Sequence, residues 1–322
     1  MGNVYRSCDH RHFGQRLDDT GGADVHAGRH HRLYPHRRGD RPAVGTWRAL
    51  NRAGGTFVNE FNNETWRAAS AAGEALLIGY VVGGDPDPER SLDIAEGIVA
   101  AGVDILEIGV PSARPKLDGE IIRRGHRRAL QSGHAVDGQL PMSYWRRLRE
   151  RVNAPIWAMG YRKELIDAGL YRELAENGLI DGLVLPDCAL DVQRAIAAEP
   201  ACRHVDVIRF ANSGMNDEQL AEATDGATVV YAQTYRGSTG DPMAQLGNLQ
   251  TLCAGVRRHT GALVVAGFGL RSVKKVREAV ESGFDGAVVG TALVARCESG
   301  ELDYLYRLIA DMKLETKRKV GV

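Results

Sequence analysis

Lysine and glutamate are absent from the first 57 residues of this 322-residue chain, which instead hold ten arginines, five aspartates and six histidines. No apolar periodicity runs through that stretch, and such a composition cannot bury enough surface to offset the entropy of ordering it. Residues 1–57 are therefore expected to be a disordered N-terminal extension. Three uses are open to it. His10, His12, His26, His30, His31 and His36 suggest a metal tract but lack regular ligand spacing; the arginines suggest a nucleic-acid arm; or the segment plays no part in the fold and reflects a misplaced start. Elsewhere no apolar run reaches the ~18 residues of a membrane span, and no signal-peptide core follows Met1. The five cysteines (Cys8, Cys188, Cys202, Cys253, Cys297) show neither C-x-x-C pairing nor zinc spacing. That pattern points to a reduced, cytoplasmic protein. Basic and acidic residues number 41 each, which removes any whole-chain argument for nucleic acid or an anionic membrane.

What is there begins at Val58. A short helix over 62–72 is followed by a buried strand over 75–82, a turn at Gly83-Gly84-Asp85-Pro86, and a helix from Pro88 whose Leu92, Ile94, Ala95, Ile98 and Val99 recur at helical spacing. The next strand covers 104–110. Strand, helix and strand at this pitch make a right-handed parallel βαβ unit. Further helices are expected over 120–131, 141–152, 164–176, 192–198, 217–223, 249–259, 273–282 and 302–313. Further strands are expected over 155–159, 182–185, 204–210, 227–232, 262–266 and 286–289. Eight strands alternating with helices in a chain of this length predict an α/β fold, a (β/α)8 TIM barrel over 58–322.

The stretch Asp104–Gly119, D-I-L-E-I-G-V-P-S-A-R-P-K-L-D-G, carries the chemistry. Glu107 sits inside an apolar strand, where an ionised carboxylate is costly unless paired or working. Asp118 follows on a loop rich in turn formers. One acid on a strand and one on a loop at a barrel mouth suit general acid–base catalysis. The bland alternative has Glu107 salt-bridged in the core and Asp118 capping the next helix. Gly267-Phe268-Gly269 and Gly290-Thr291 follow the seventh and eighth strands, where glycine backbone and helix N-termini can cradle a phosphate.

Six segments, Y-V-V-G-G-D-P-D-P-E (80–89), D-I-L-E-I-G-V-P (104–111), L-D-G-E-I-I (117–122), Y-R-G-S-T-G (235–240), A-G-F-G-L (266–270) and G-A-V-V-G-T-A-L-V (286–294), follow one another in an order that resembles the tryptophan synthase α subunit family. The resemblance spans Val58 to Lys313. It implies cleavage of indole-3-glycerol phosphate to indole and glyceraldehyde 3-phosphate, with no metal or organic cofactor and with a tryptophan synthase β subunit as partner. Residue by residue it implies Glu107 as the acid–base group and Asp118 as the acceptor of the indole N–H. Tyr161, Asp187, Tyr231 and Thr239 match pocket positions, with ordinary packing as the alternative for the aromatics and the threonine. Gly240, Gly269, Gly290 and Thr291 match the phosphate site.

The chain departs from the family where Ser112-Ala113-Arg114 stands in place of a Phe-Ser-Asp run, where Glu120 replaces a proline, and where Cys188-Ala189 follows Asp187. Those loops face the β subunit in the family, so the partner is expected to be divergent, or the chain to release indole alone. A non-catalytic phosphate-binding barrel that regulates a β-type partner is the reading from another class, and a prenyl-glyceryl phosphate synthase is another enzyme. Both acids together argue against them. If 1–57 contribute nothing to the core, deleting residues 2–57 leaves the melting transition cooperative and its midpoint within a degree or two; loss of cooperativity in calorimetry would place the boundary elsewhere.

Overall fold

Apolar residues fill almost every strand position, as expected for parallel strands buried on both faces. The computed structural model describes residues 50–51, 57–133, 140–233, 248–267 and 269–318. The chain divides into Met1–Arg41 and Pro42–Val322, and all the described residues belong to the second unit. Of the extension expected over 1–57, all but residues 50, 51 and 57 lies outside the described residues. Leu50–Asn51 pairs antiparallel with Phe57–Val58 in a two-residue ladder.

The parallel strands are β1 Leu76–Val82, β2 Ile105–Gly109, β3 Ile156–Met159, β4 Gly182–Val184, β5 Asp206–Val207, β6 Arg209–Asn212, β7 Val229–Gln233, β8 Leu263–Gly267 and β9 Gly286–Val289. The helices are α1 Glu60–Ala71, α2 Pro88–Ala100, α3 Glu120–Gln131, α4 Met142–Arg151, α5 Leu170–Glu176, α6 Leu190–Ala197, α7 Asp217–Thr224, α8 Leu249–Arg257, α9 Val273–Glu281, α10 Thr291–Ser299 and α11 Leu302–Leu314. Hydrogen bonding runs β5-β4-β3-β2-β1-β9-β8-β7-β6. The two ends of that order are consecutive in the chain and separated only by Ile208, whose N–H donates to Leu183 O (3.0 Å). They are two halves of one stave, so eight staves close a (β/α)8 barrel.

Three details differ from the sequence expectation. The helix expected over 164–176 is a π-turn, Lys163–Asp167, then α5, broken at Gly169, whose φ of 73° is left-handed. The strand expected over 204–210 starts two residues later and runs on to Asn212, because its first half follows β4 and its second half β7. Helix α10 was not expected at all. Its N-cap is Gly290, which offers no side chain to signal a start.

Alternation along the staves divides the core into two layers. Ile78, Tyr80, Ile105, Trp157, Met159, Val184, Ile208, Tyr231, Val265 and Val288 fill the barrel, while Leu77, Val81, Leu106, Ile108, Ala158 and Val264 pack against the helices. Helix α1 closes the N-terminal end with polar contacts. The Asn59 side chain caps the helix by accepting from Asn62 N (2.8 Å), and its Nδ2 donates to His204 O (2.7 Å). Asn62 Nδ2 donates to Asp206 Oδ2 (2.6 Å) and Asp181 O (2.9 Å), while its Oδ1 accepts from Trp157 Nε1 (3.0 Å). Replacing Asn62 by alanine strands a buried indole N–H and weakens the hold on a buried carboxylate. We expect Asn62→Ala to cost about 2–3 kcal/mol, read as a lower urea midpoint at unchanged m-value.

Candidate active site

Glu107 occupies the centre of β2, paired in register with Tyr80 on β1 and Trp157 on β3. Its side chain points into the barrel with those of Ile105 and Tyr80, and only 1% of its surface is exposed. Oε2 is buried with no hydrogen-bond partner among the described residues. Burial, and secondarily the charge of Asp118, push its pKa up to about 8. Among the described residues no cation pairs with Glu107 and so none supports the salt-bridged alternative.

Asp118 lies on the loop between β2 and α3 and is equally buried. It does not cap α3; the N-cap is Gly119, and the Asp118 carboxylate turns inward instead. Tyr161 OH donates to Asp118 Oδ2 (2.7 Å) while accepting from Leu117 N (3.0 Å). His126, one turn and a half along α3, also meets Oδ2 (3.3 Å). Its other ring nitrogen, Nδ1, accepts from Ser112 N (3.1 Å), which leaves the ring proton on Nε2 to donate to Asp118. Ser112 Oγ in turn donates to Glu164 Oε1 (2.8 Å) on the π-turn and accepts from Arg114 N (3.1 Å). The loop acid is therefore tied to β2, α3 and the turn after β3.

The cavity between the two acids is lined by Tyr80, Ile122, Met159, Tyr231, Gly269, Leu270, Val288, Gly290 and Thr291. Its free volume is small, about 40 Å³. Two glycines make the site possible. A Cβ on Gly109 would strike the Tyr80 hydroxyl, and one on Gly267 would overlap the Tyr231 ring. The Tyr80 hydroxyl is buried without a partner among the described residues. Burial first, then the nearby acids, raise the pKa values of Tyr80 and Tyr231 well above the usual phenol range, so both stay protonated. Gly290 caps α10 and lines this cavity together with Thr291, and Gly269 takes a left-handed φ of 85°.

Of the residues singled out from sequence, Glu107, Asp118, Tyr231, Gly269, Gly290 and Thr291 line this cavity, and Tyr161 holds Asp118 from behind. Asp187 does not join them; it is exposed after β4, where its Oδ1 accepts from Arg162 N (2.8 Å). Thr239 and Gly240 lie outside the described residues. Sequence reasoning missed Tyr80, His126, Ser112 and Glu164. Tyr80 carried a signal, an aromatic two residues past Ile78 on the inward face of a strand. His126 carried a fainter one, a polar residue in the Ile122–Ala129 stripe of α3.

A closed parallel barrel with paired acids, one on a stave and one on the following loop, at the C-terminal mouth is that of a (β/α)8-barrel enzyme. The family model described as tryptophan synthase alpha chain matches residues 66–319. The tryptophan synthase alpha chain of Corynebacterium diphtheriae is 33% identical over 72% of this chain and 84% of its own length. That of Roseiflexus castenholzii is 36% identical over 72% and 89%. A solved structure of Mycobacterium tuberculosis tryptophan synthase superposes with a TM-score of 0.70 at 26% identity, covering 81% of this chain and 99% of that one. The chain belongs to the tryptophan synthase alpha chain family.

The raised pKa of Glu107 makes stability depend on pH. An unfolded glutamate ionises near pH ~4.3, so between there and about 8 the folded protein keeps a proton that the unfolded chain releases. Stability contributed by this group is full at low pH and falls as pH rises through that window, by at most ~1.4 kcal/mol per pH unit. Glu107→Gln has no such proton. We expect the melting temperature of the variant to gain on that of the parent steadily from pH 5 to pH 8; parallel curves would mean that Glu107 ionises normally.

Proposed function

We propose that Glu107 and Asp118 are the acid–base pair of the tryptophan synthase α reaction in this chain. The protein is a lyase of tryptophan biosynthesis that cleaves indole-3-glycerol phosphate to indole and glyceraldehyde 3-phosphate. The bond broken joins indole C3 to the glycerol carbon bearing a hydroxyl. C3 must gain a proton, and the hydroxyl must lose one as its carbon becomes the aldehyde. Glu107, buried, unpartnered and protonated at neutral pH, supplies the first; once ionised, it accepts the second. Protonation at C3 leaves positive charge on the ring nitrogen, and the Asp118 carboxylate accepts from that N–H and stabilises the charge. Tyr161 and His126 fix where that carboxylate points. The α10 N-terminus at Gly290-Thr291, with Gly269, receives the phosphate. The observation that carries the reading is the unpartnered carboxyl of Glu107 facing Asp118 across one cavity.

The reaction partner is a tryptophan synthase β subunit. Arg114 and Lys116, both exposed on the β2–α3 loop, border a groove of about 520 Å³ outside the mouth together with Arg123 and Arg127. The surface beside the site thus carries Arg114 where many family members have an aspartate, which suits a β subunit of compensating charge. A cytoplasmic location belongs to the same reading, supported by four described cysteines that are all free and buried.

Glu107→Gln should lower indole release by ~10²–10⁴-fold, the usual contribution of a general acid–base group, while binding of glycerol 3-phosphate by calorimetry is retained. Assays run with and without a β subunit check it. A variant that keeps more than about a tenth of the parent rate in either assay moves the proton transfer to another group.

A further inference from the structure

Among the described residues, four cations and no acid line the groove of about 520 Å³ beside the mouth. Arg114 and Lys116 come from the β2–α3 loop, Arg123 and Arg127 from α3. Arg127 pairs with Glu120 (2.7 Å), but both side chains are more than half exposed and water screens the pair. Arg123 donates to main-chain carbonyls, Pro115 O (3.4 Å) and Lys116 O (3.3 Å), which ties it to the loop and leaves its charge uncompensated. Arg114 and Lys116 are exposed and form no ion pair among the described residues. Arg124 and Arg128, the other arginines of α3, are paired with Glu298 and Asp85. The excess positive charge at this face is therefore Arg114, Lys116 and Arg123. An anion placed there feels it: the Glu120 carboxyl is held below the usual carboxylate range by its hydrogen bond to Arg127, and the charges of Arg127, Arg124 and Arg123 add to the effect.

These cations stand close to the catalytic cavity. Lys116 is two residues from Asp118 and Arg114 is four, so their backbones lie within ~7 Å and ~14 Å of it. Arg123 directly follows Ile122, which lines the cavity together with Gly290 and Thr291. The field of an exposed charge reaches ~30 Å at low salt and ~8 Å at physiological salt. The chain as a whole is neutral, with 41 basic and 41 acidic residues, so a long-range pull on an anion has to come from a local excess. The Asp118 carboxylate acts the other way and repels a phosphate dianion. Three uncompensated cations beside it reverse the sign.

We propose, resting on the reading of Gly290 and Thr291 as the phosphate end, that Arg114, Lys116 and Arg123 steer a dianionic phosphate ester to the mouth. They raise its local concentration before it enters and touch none of its reacting atoms. Such a field acts through solvent on the chain by itself, with no β subunit seated on the loop. It acts on charge alone, so a neutral ligand of the same cavity gains nothing from it.

The test is calorimetry of glycerol 3-phosphate and of indole on the full-length chain without a β subunit, above the second phosphate pKa near ~6. Four proteins are compared: the parent, the double variant Arg114→Gln with Lys116→Gln, the single variant Arg114→Lys, and Arg67→Gln. Arg67 is exposed on α1 at the closed end of the barrel, so its loss changes net charge without touching the groove. The double variant should bind glycerol 3-phosphate ~3–10-fold more weakly than the parent at ~0.01 M ionic strength, and within ~2-fold of it at ~0.5 M. Arg114→Lys, which keeps the charge, and Arg67→Gln should both match the parent, and indole should bind all four alike. In the indole-release assay the double variant should show a raised KM at low salt and an unchanged kcat. Equal affinities of parent and double variant at low salt would overturn the proposal. So would a deficit that persists at high salt, an Arg67→Gln effect as large as that of the double variant, or an equal loss of indole affinity. A parent that binds indole but no glycerol 3-phosphate at any ionic strength would instead remove the phosphate end itself, and the steering with it.

Discussion

Burying a carboxyl group with nothing to bond costs several kcal/mol if it must be charged, and Glu107 escapes that cost by keeping its proton. Everything around it serves that outcome. The stave is buried on both faces, the neighbours in the barrel layer are aromatic or aliphatic, and Asp118 adds negative charge that further disfavours ionisation. A salt bridge to Glu107 would have stabilised the ionised form and removed the acid. The side chain is instead held by backbone register alone, which is the stiffest support the fold offers.

Asp118 is built in the opposite way. Its carboxylate receives hydrogen bonds from a tyrosine and a histidine, and those partners come from different elements. One mouth thus holds a carboxyl whose Oε2 has no partner among the described residues beside a carboxylate held by two donors, the first in apolar and the second in polar surroundings. The chain Glu164–Ser112–His126–Asp118 draws its outermost member from the π-turn after β3, and such turns recur at functional sites.

The barrel was legible from the sequence because parallel strands buried on both faces read as unbroken apolar runs, and Leu76–Val82 and Gly286–Val289 are such runs. The acids were legible for the same reason: a charge within Ile105–Gly109 stands out. What escaped reading depends on the third dimension. The stave broken at Ile208 changes partner halfway along, which no local pattern encodes. Helix α10 starts on Gly290, where a Cβ would press on the Tyr80 ring at 3.1 Å, a contact that only the fold creates. His126 lies within a helical stripe that periodicity assigns to the core, and only the fold shows that Asp118 and Ser112 flank it.

The two ends of the barrel divide the work through shared staves. On β3 the inward Trp157 donates to Asn62 at the closed end, while two residues later Met159 lines the catalytic cavity. On β1 and β9 the same step leads from Ile78 to Tyr80 and from Gly286 to Val288. A strand advances about 3.3 Å per residue, so on β3 the contact to the polar plug and the wall of the cavity sit one layer apart on a single rigid rod. The plug can be stiff, polar and fully bonded because the mouth must not be. The donors and acceptors left open, Glu107 Oε2 on β2 and the Tyr80 hydroxyl on β1, lie at the mouth, whereas the hydrogen bonds of α1 fall on Trp157, Asp181 and Asp206 at the other end.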